Sequence, residues 1–198
     1  IVEKQGENFS LNQRFLTQWR NDEVFNQHVQ DLIDTGLHIA RTRNKWSSSI
    51  RIGERYSRKD VCRLLNWNSN QQSTIYGYKV DNFSHSCPIF VTYHKSAGVS
   101  ESTKYEDEFL NQATLKWFTR SRRTLASNEV HAIVENHLPL YIFAKKDDAE
   151  GTDFFYLGTA KSSNAMQTKM AGDGGDELDV VTMLLHLETP IETSLYEY

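Results

Sequence analysis

The densest chemistry in the sequence is a run of cations and hydroxyls, Thr119-Arg120-Ser121-Arg122-Arg123-Thr124, with Lys116 just before it and no acid between Phe118 and Asn128. A guanidinium attracts phosphate and can fork onto O6 and N7 of guanine, and hydroxyls bond to either. These side chains suit the reading of a nucleic-acid duplex. A second polar stretch, Asn66 to Thr74 (NWNSNQQST), carries amides and hydroxyls without charge. Asn68, Asn70, Gln71, Gln72 and Ser73 suit base edges better than phosphates, because an amide can bridge N6 and N7 of adenine. Upstream, residues 41–63 hold eight bases, Lys59 among them, against Glu54 and Asp60. On residue types alone, an ordinary solvated loop is the plainer reading of both.

Catalytic constellations are missing from the pattern. A phosphate-gripping loop needs Gly, four residues, then Gly-Lys-Ser/Thr, and Gly172, Gly174 and Gly175 have neither that spacing nor the dinucleotide one. Asp173, Asp176, Glu177 and Asp179 miss the alternate positions of a calcium loop and read as a solvated acidic hairpin. The histidines at 28, 38, 85, 94, 131, 137 and 186 form no His-Glu-x-x-His pair, and His94 beside Lys95 is not the His-x-Lys of a phospholipase-D-type nuclease. Cys62 and Cys87 fit no zinc spacing and read as two reduced, partly buried thiols. The expectation is a non-catalytic chain with no metal and no cofactor.

Composition agrees. With 198 residues, 38% hydrophobic, 12% aromatic and 24% charged, the chain is neither a disordered tail nor a collagen-like repeat. It has no apolar run of the roughly 18 residues a spanning helix needs, and a cytoplasmic protein is expected. The start at Ile1 rather than Met reads as a piece of a longer protein. Net charge is −4, but residues 147–198 hold eleven acids against two bases, while residues 1–146 hold twenty bases against fifteen acids. A phosphate backbone responds to a patch rather than a total, so the acidic sum does not exclude DNA. The acidic segment is expected to lie away from it.

These side chains need elements to carry them. Val24, Phe25, Val29, Leu32 and Ile33 predict a helix over 21–36, capped by Asn21 and stopped by Gly36, followed by a polar connector at 41–49. Ser57 and Asp60 form a capping box before Val61, Leu64 and Leu65. Alternation predicts strands over 75–80 and 89–93, with Pro88 at a strand start or sheet edge and residues 81–86 as the turn between them. A polar loop is expected over 95–111, and a strand at 115–120 runs into the basic tip. A helix opens at Ser127 and stops before Pro139, and strands follow near 140–144, 153–160 and 179–188. The class is mainly antiparallel β with segregated helices (α+β), most economically a barrel.

In order, Tyr56-Ser57-Arg58-Lys59-Asp60-Val61, Gly77-Tyr78-Lys79-Val80, Pro88-Ile89-Phe90-Val91-Thr92-Tyr93-His94-Lys95, Tyr105-Glu106-Asp107-Glu108-Phe109 and Trp117-Phe118-Thr119-Arg120-Ser121-Arg122 resemble a bacterial domain family. Its members lie at the C-terminal ends of restriction proteins and helicases, behind a phospholipase-D-type nuclease. The resemblance covers roughly residues 50–190. It implies a B3-like β pseudobarrel with two short helices, similar to those of plant transcription factors and of the restriction enzymes BfiI and EcoRII, which grips the major groove with an N-arm and a C-arm. Thr119 to Thr124 would be the C-arm and Asn68 to Thr74 the N-arm, with the basic run Arg51 to Lys59 as the alternative N-arm. Residues 1–46 would be a helical linker and 47–198 the DNA-binding domain, with a nuclease domain in the same chain and a helicase subunit as partners.

The expected function is therefore sequence-specific binding of double-stranded DNA as the target-recognition domain of a restriction endonuclease. The competing reading, from a different class, is a protein-interaction module that docks a helicase or nuclease through the first helix and exposed aromatics. Arg122→Ala is expected to weaken and relax DNA binding, and Lys169→Ala, taken as distant, to do neither.

Overall fold

In the computed structural model, residues 1–6, 8–43, 50–94, 107–172 and 175–197 are described. They form two units, Ile1–Ser49 and Ile50–Tyr198. The first unit begins with a hairpin of β1 (Val2–Gln5) and β2 (Asn8–Leu11), registered Val2 to Leu11, which the sequence reading missed. Helix α1 (Gln13–Asn21) follows, capped by Asn12, whose Oδ1 accepts from Phe15 N at 3.1 Å. Helix α2 spans Glu23–Arg43, and the Asp22 carboxylate accepts from Phe25 N at 3.0 Å. Phe15 meets Trp19 and Phe25 at ring distances of 5.7 and 5.9 Å, pinning α1 to α2.

The helix expected over 21–36 is thus shifted and lengthened. Asn21 closes α1, so the cap falls to Asp22. Gly36 lies inside α2, where a glycine costs only about 1 kcal/mol relative to alanine, too little to end a helix that continues through Leu37, Ile39 and Ala40. Arg41 to Arg43 belong to α2 rather than to a connector, and residues 44–49 lie outside the described residues.

The second unit is mixed α and β, mostly sheet. Its strands are β3 (Arg55–Ser57), β4 (Cys87–His94), β5 (Glu108–Asn111), β6 (Thr114–Phe118), β7 (Leu140–Asp147), β8 (Asp153–Ala171) and β9 (Glu177–Leu187). They make one sheet in the order β4-β7-β8-β9-β6-β5, with β3 paired to β8. All pairs are antiparallel except β4 with β7, registered Cys87 to Leu140. Helices α3 (Arg58–Leu64) and α4 (Asn128–Val134) pack on it, and a last turn, α5 (Thr193–Tyr196), follows β9.

Alternation of side chains sorts the strands into two cores. On one side Ile89 and Val91 of β4, Leu140 and Ile142 of β7, Leu115 and Trp117 of β6, and Val181, Met183 and Leu185 of β9 enclose Val130 and Ile133 of α4. On the other, Phe90, Phe143, Phe154 and Tyr156 surround Val61 and Cys62 of α3. Strands β4 and β7 bury both faces and therefore read as continuous apolar runs. Pro88 sits as the second residue of β4, at the end of the strand order, as a residue without a donor must. Gly158, at φ +114, lies at a register shift between β7 and β8, where a Cβ would come within 3.3 Å of Ile52.

Three expectations fail here. Residues 75–80 do not form a ladder strand: the chain bends at Gly77, at φ +77, and makes only isolated bridges, Tyr76 to Tyr78 and Tyr78 to Ile89. Strand β5 occupies the end of the expected polar loop, whose residues 95–106 lie outside the described ones. Strand β8 runs eleven residues past its expected end at Ala160, paired to β9 as far as Ala171 with Glu177.

Candidate nucleic-acid interface

The basic loop leaves β6 at Phe118 and enters α4 after Ser127. Its floor is the far end of the β8–β9 hairpin. Thr119 N donates to Val181 O at 2.9 Å, Val181 N returns a bond to Thr119 Oγ1 at 3.0 Å, and Arg123 N donates to Asp179 O at 3.1 Å. Gln167 of β8 reaches across, accepting from Leu125 N at 3.0 Å through its side-chain oxygen. At the helix end, Ser127 Oγ accepts from Thr124 N at 3.0 Å, so the cap hydroxyl points back into the loop and not into α4.

Thr119 is only 3% exposed and spends its hydroxyl on β9, so this expected site residue is a structural one. Ser121 and Thr124 are half-buried, and Arg122 is exposed. Arg122 has φ +61, the left-handed region that a residue with a Cβ enters at a cost. Its carbonyl accepts from Arg123 Nη1 at 3.1 Å.

Arg120 and Arg123 share one carboxylate. Glu129 accepts from Arg120 Nη2 at 2.6 Å, from Arg120 Nε at 3.3 Å, from Arg123 Nε, and from the Tyr78 hydroxyl at 2.8 Å. Desolvation works to raise the Glu129 carboxyl, but the bonds from Arg123, Tyr78 and Arg120 outweigh it and hold the group below its ordinary value. Burial, and then the Glu129 charge and hydrogen bond, push the Tyr78 phenol far above its usual range, so it remains a donor. Tyr78 is itself fixed edge-on against Trp117 of β6 at 5.0 Å, with the Arg120 guanidinium over its face at 5.3 Å. The sequence reading assigns neither Glu129 nor Tyr78 a part in the tip. The signal for both is an acid in the first turn of a helix preceded by three arginines, with a buried phenol as second donor.

The polar loop is held by its own turn and by Lys79. Asn68, Asn70, Gln72 and Ser73 are exposed and Gln71 is half-buried. Asn70 Oδ1 accepts from Gln72 N at 3.1 Å, and Gln71 O accepts from Thr74 N at 2.9 Å, closing a 3₁₀ turn over Gln72–Thr74. Lys79, next to Tyr78, donates to Thr74 Oγ1 at 2.7 Å.

The basic run 51–63 is less available than its composition suggests. Arg58 lies over the rings of Phe90 and Phe154 at 5.1 and 4.9 Å, and Arg55 pairs with Glu150 at 3.0 Å. Lys59 and Arg63 are exposed on α3. The acidic segment does not lie apart from the basic tip, since Asp179 and Gln167 support it. Lys169 sits opposite Asp179 and pairs with Glu177 at 3.0 Å, so it is not distant either.

Cys62 and Cys87 are free and buried, and burial raises both thiols above their ordinary value, away from a reactive thiolate. Among the described residues no group of histidine, cysteine or carboxylate side chains could hold a metal ion, and no helix is long and apolar enough to cross a membrane.

Residues 50–198 match the family described as "Domain of unknown function (DUF3427)". Nothing matches among curated proteins. Similar solved structures include Arabidopsis thaliana SUVH6 in complex with SAM, at 14% identity over 75% of this chain and 28% of that one, TM-score 0.48. The MspJI restriction endonuclease in complex with a 27-mer oligonucleotide is 15% identical over 51% of this chain and 28% of that one, TM-score 0.39. The sulfur binding and SRA domains of ScoMcrA complexed with phosphorothioated DNA are 10% identical over 74% of this chain and 44% of that one, TM-score 0.43. In each case this chain spans less than half the length of the other.

Proposed function

The chain belongs to the family described as Domain of unknown function (DUF3427), and we propose that it binds double-stranded DNA sequence-specifically as the target-recognition domain of a restriction endonuclease. The observation that carries this reading is the tip at 119–125, held to β8 and β9 on one side and to Glu129 on the other, with the Arg122 guanidinium exposed at its apex. A rigidly held loop with an exposed guanidinium is what major-groove reading asks for, because discrimination depends on fixed fork geometry. The loop 68–74 supplies uncharged amides as the second arm.

In this reading the unit is a B3-like pseudobarrel, residues 1–46 are a helical linker, and residues 47–198 are the DNA-binding domain. The motif order is similar to that of the C-terminal part of the restriction subunit of the ATP-dependent restriction endonuclease NgoAVII. Cleavage is then the task of a phospholipase-D-type nuclease domain of the same chain, working with a helicase subunit in the cytoplasm, and the recognition domain is itself non-catalytic.

The test is selection of binders from a randomised duplex pool, followed by affinity against salt for the selected duplex. Enrichment of one short motif, bound less tightly by Arg122→Ala and equally well by Lys161→Ala, is the expected result. No enrichment and no binding in dilute salt would refute the reading. The second reading, a protein-docking module, is favoured by one observation: Val24, Leu32, Ile33, Leu37 and Ile39 of α2 are all exposed. Its mark is stabilisation by a partner protein with no duplex affinity.

A further inference from the structure

Four donor groups from three side chains converge on one carboxylate, and they decide how much charge the basic tip shows to solvent. The side chains of Arg120 and Arg123 are 29% and 31% exposed and that of Glu129 23%, so all three are reachable. Together they carry one net positive charge and not two. The Tyr78 hydroxyl and the Tyr78–Trp117 contact anchor the carboxylate from the core side. It is therefore held where both arginines end, six and nine residues back along the chain.

We propose that Glu129 is a specificity-determining residue of the tip: it positions Arg120 and Arg123 and cancels one of their charges, so that DNA of the wrong sequence is not held by charge alone. This rests on the DNA-binding reading given above. Non-specific affinity comes from counterions released as cations meet phosphates, with log K falling by about 0.9 per neutralised phosphate for each tenfold rise in salt. A guanidinium already paired to a carboxylate has less of that affinity to give. Base contacts made by the exposed Arg122 and by the amide loop are not weakened by the pairing, so the ratio of specific to non-specific binding rises.

The experiment compares the selected duplex with a scrambled duplex of the same length and composition across a salt series. Glu129→Gln keeps the side-chain shape and one acceptor while freeing a charge. Its expected effect is a scrambled-duplex salt slope steeper by about 0.9, which is roughly an 8-fold gain in non-specific affinity at 0.1 M salt relative to 1 M. The selected-to-scrambled ratio falls accordingly. Adding Arg120→Gln to that variant restores the wild-type net charge and returns the slope to its starting value. Arg120→Gln alone, which leaves the Glu129–Arg123 pair, makes the slope shallower by a similar amount and keeps the inference testable should Glu129→Gln fail to fold. Equal weakening of both duplexes by Glu129→Gln, or an unchanged scrambled slope in both single variants, overturns the inference while wild-type discrimination stands. A wild-type protein that binds neither duplex overturns the DNA reading itself, and this inference with it.

Discussion

Replacing Arg122 by glycine separates what the residue does for the fold from what it does at the surface. At φ +61 the residue pays for a left-handed backbone that costs an L-residue roughly 1–2 kcal/mol. Its carbonyl accepts from Arg123 Nη1, and glycine keeps that carbonyl. Glycine removes the strain but gives the unfolded chain more freedom, worth about 0.4–1 kcal/mol in the opposite direction. The difference is a stabilisation on the order of 0.5–1 kcal/mol. With an unfolding entropy of about 2.1 cal/mol/K per residue, a unit of about 150 residues has roughly 0.3 kcal/mol/K in all, so the melting temperature rises by about 2–3 °C. DNA affinity moves the other way, because loss of a guanidinium forked onto a base costs about 1–3 kcal/mol, or roughly 5- to 150-fold. Thermal unfolding and fluorescence anisotropy on the selected duplex read the two effects from one preparation. A lower melting temperature would refute the strain argument, and a higher one with unchanged affinity would refute the role given to Arg122.

Two further outcomes follow from bonds at the two ends of α4. Asn136, also left-handed at φ +53, holds Ser162 by two bonds, accepting from its N–H at 2.8 Å and donating to its carbonyl at 3.1 Å. Asn136→Ala loses both at about 1 kcal/mol each, and urea or thermal unfolding should show a loss of about 2 kcal/mol, or roughly 6 °C. The Glu129 carboxyl is held below its ordinary value of 4.5, so its contribution to stability is present above that pH and lost as pH falls through the lower, folded value. The difference in melting temperature between wild type and Glu129→Gln should therefore be constant near neutrality and close on acidification below 4.5. A gap that widens in acid would reverse the sign of this argument.

Elements whose side chains face a core on a regular period were legible in the sequence; those held by backbone alone were not. The capping box of Ser57 and Asp60 forms as read, with Asp60 N donating to Ser57 Oγ at 3.2 Å. Strands β4 and β7 declare themselves by unbroken apolar runs. The outer part of β8, KSSNAMQTKMA, has no apolar alternation because most of it is exposed, and only its pairing with β9 makes it a strand. At 75–80 the alternation was real but misleading. The buried residues are Ile75 and Tyr78, three apart, and the bend at Gly77 lets them point into different cores. For the site, residue types located the basic tip, but its internal economy was not readable. Thr119 was expected at the surface and is spent on Val181, and two of the three arginines are claimed by an acid that only the packing of α4 brings to them.

That pairing sets how the affinity should divide between charge and base reading. Of the cations that the sequence groups into patches, Arg55 pairs with Glu150, Arg58 stacks on Phe90 and Phe154, Lys79 donates to Thr74, and Arg120 and Arg123 share Glu129. Among the described residues of 51–63 and 119–124, Lys59, Arg63 and Arg122 are the exposed cations outside these contacts. Those three cations and the one net charge of the Glu129 cluster, at about 0.9 each, give a salt slope near −3.6, shallow for a duplex-binding protein, where six to ten contacts are common. Specific affinity then has to come mainly from base contacts, and the protein should hold its selected duplex at salt concentrations that strip it from any other. A measured slope near −4.5, that of five contacts at about 0.9 each, would mean that both paired guanidiniums leave Glu129 for phosphates on binding. In that case Glu129→Gln would leave the slope on the selected duplex unchanged, and the fixed-tip description would give way to one in which the duplex opens the carboxylate cluster.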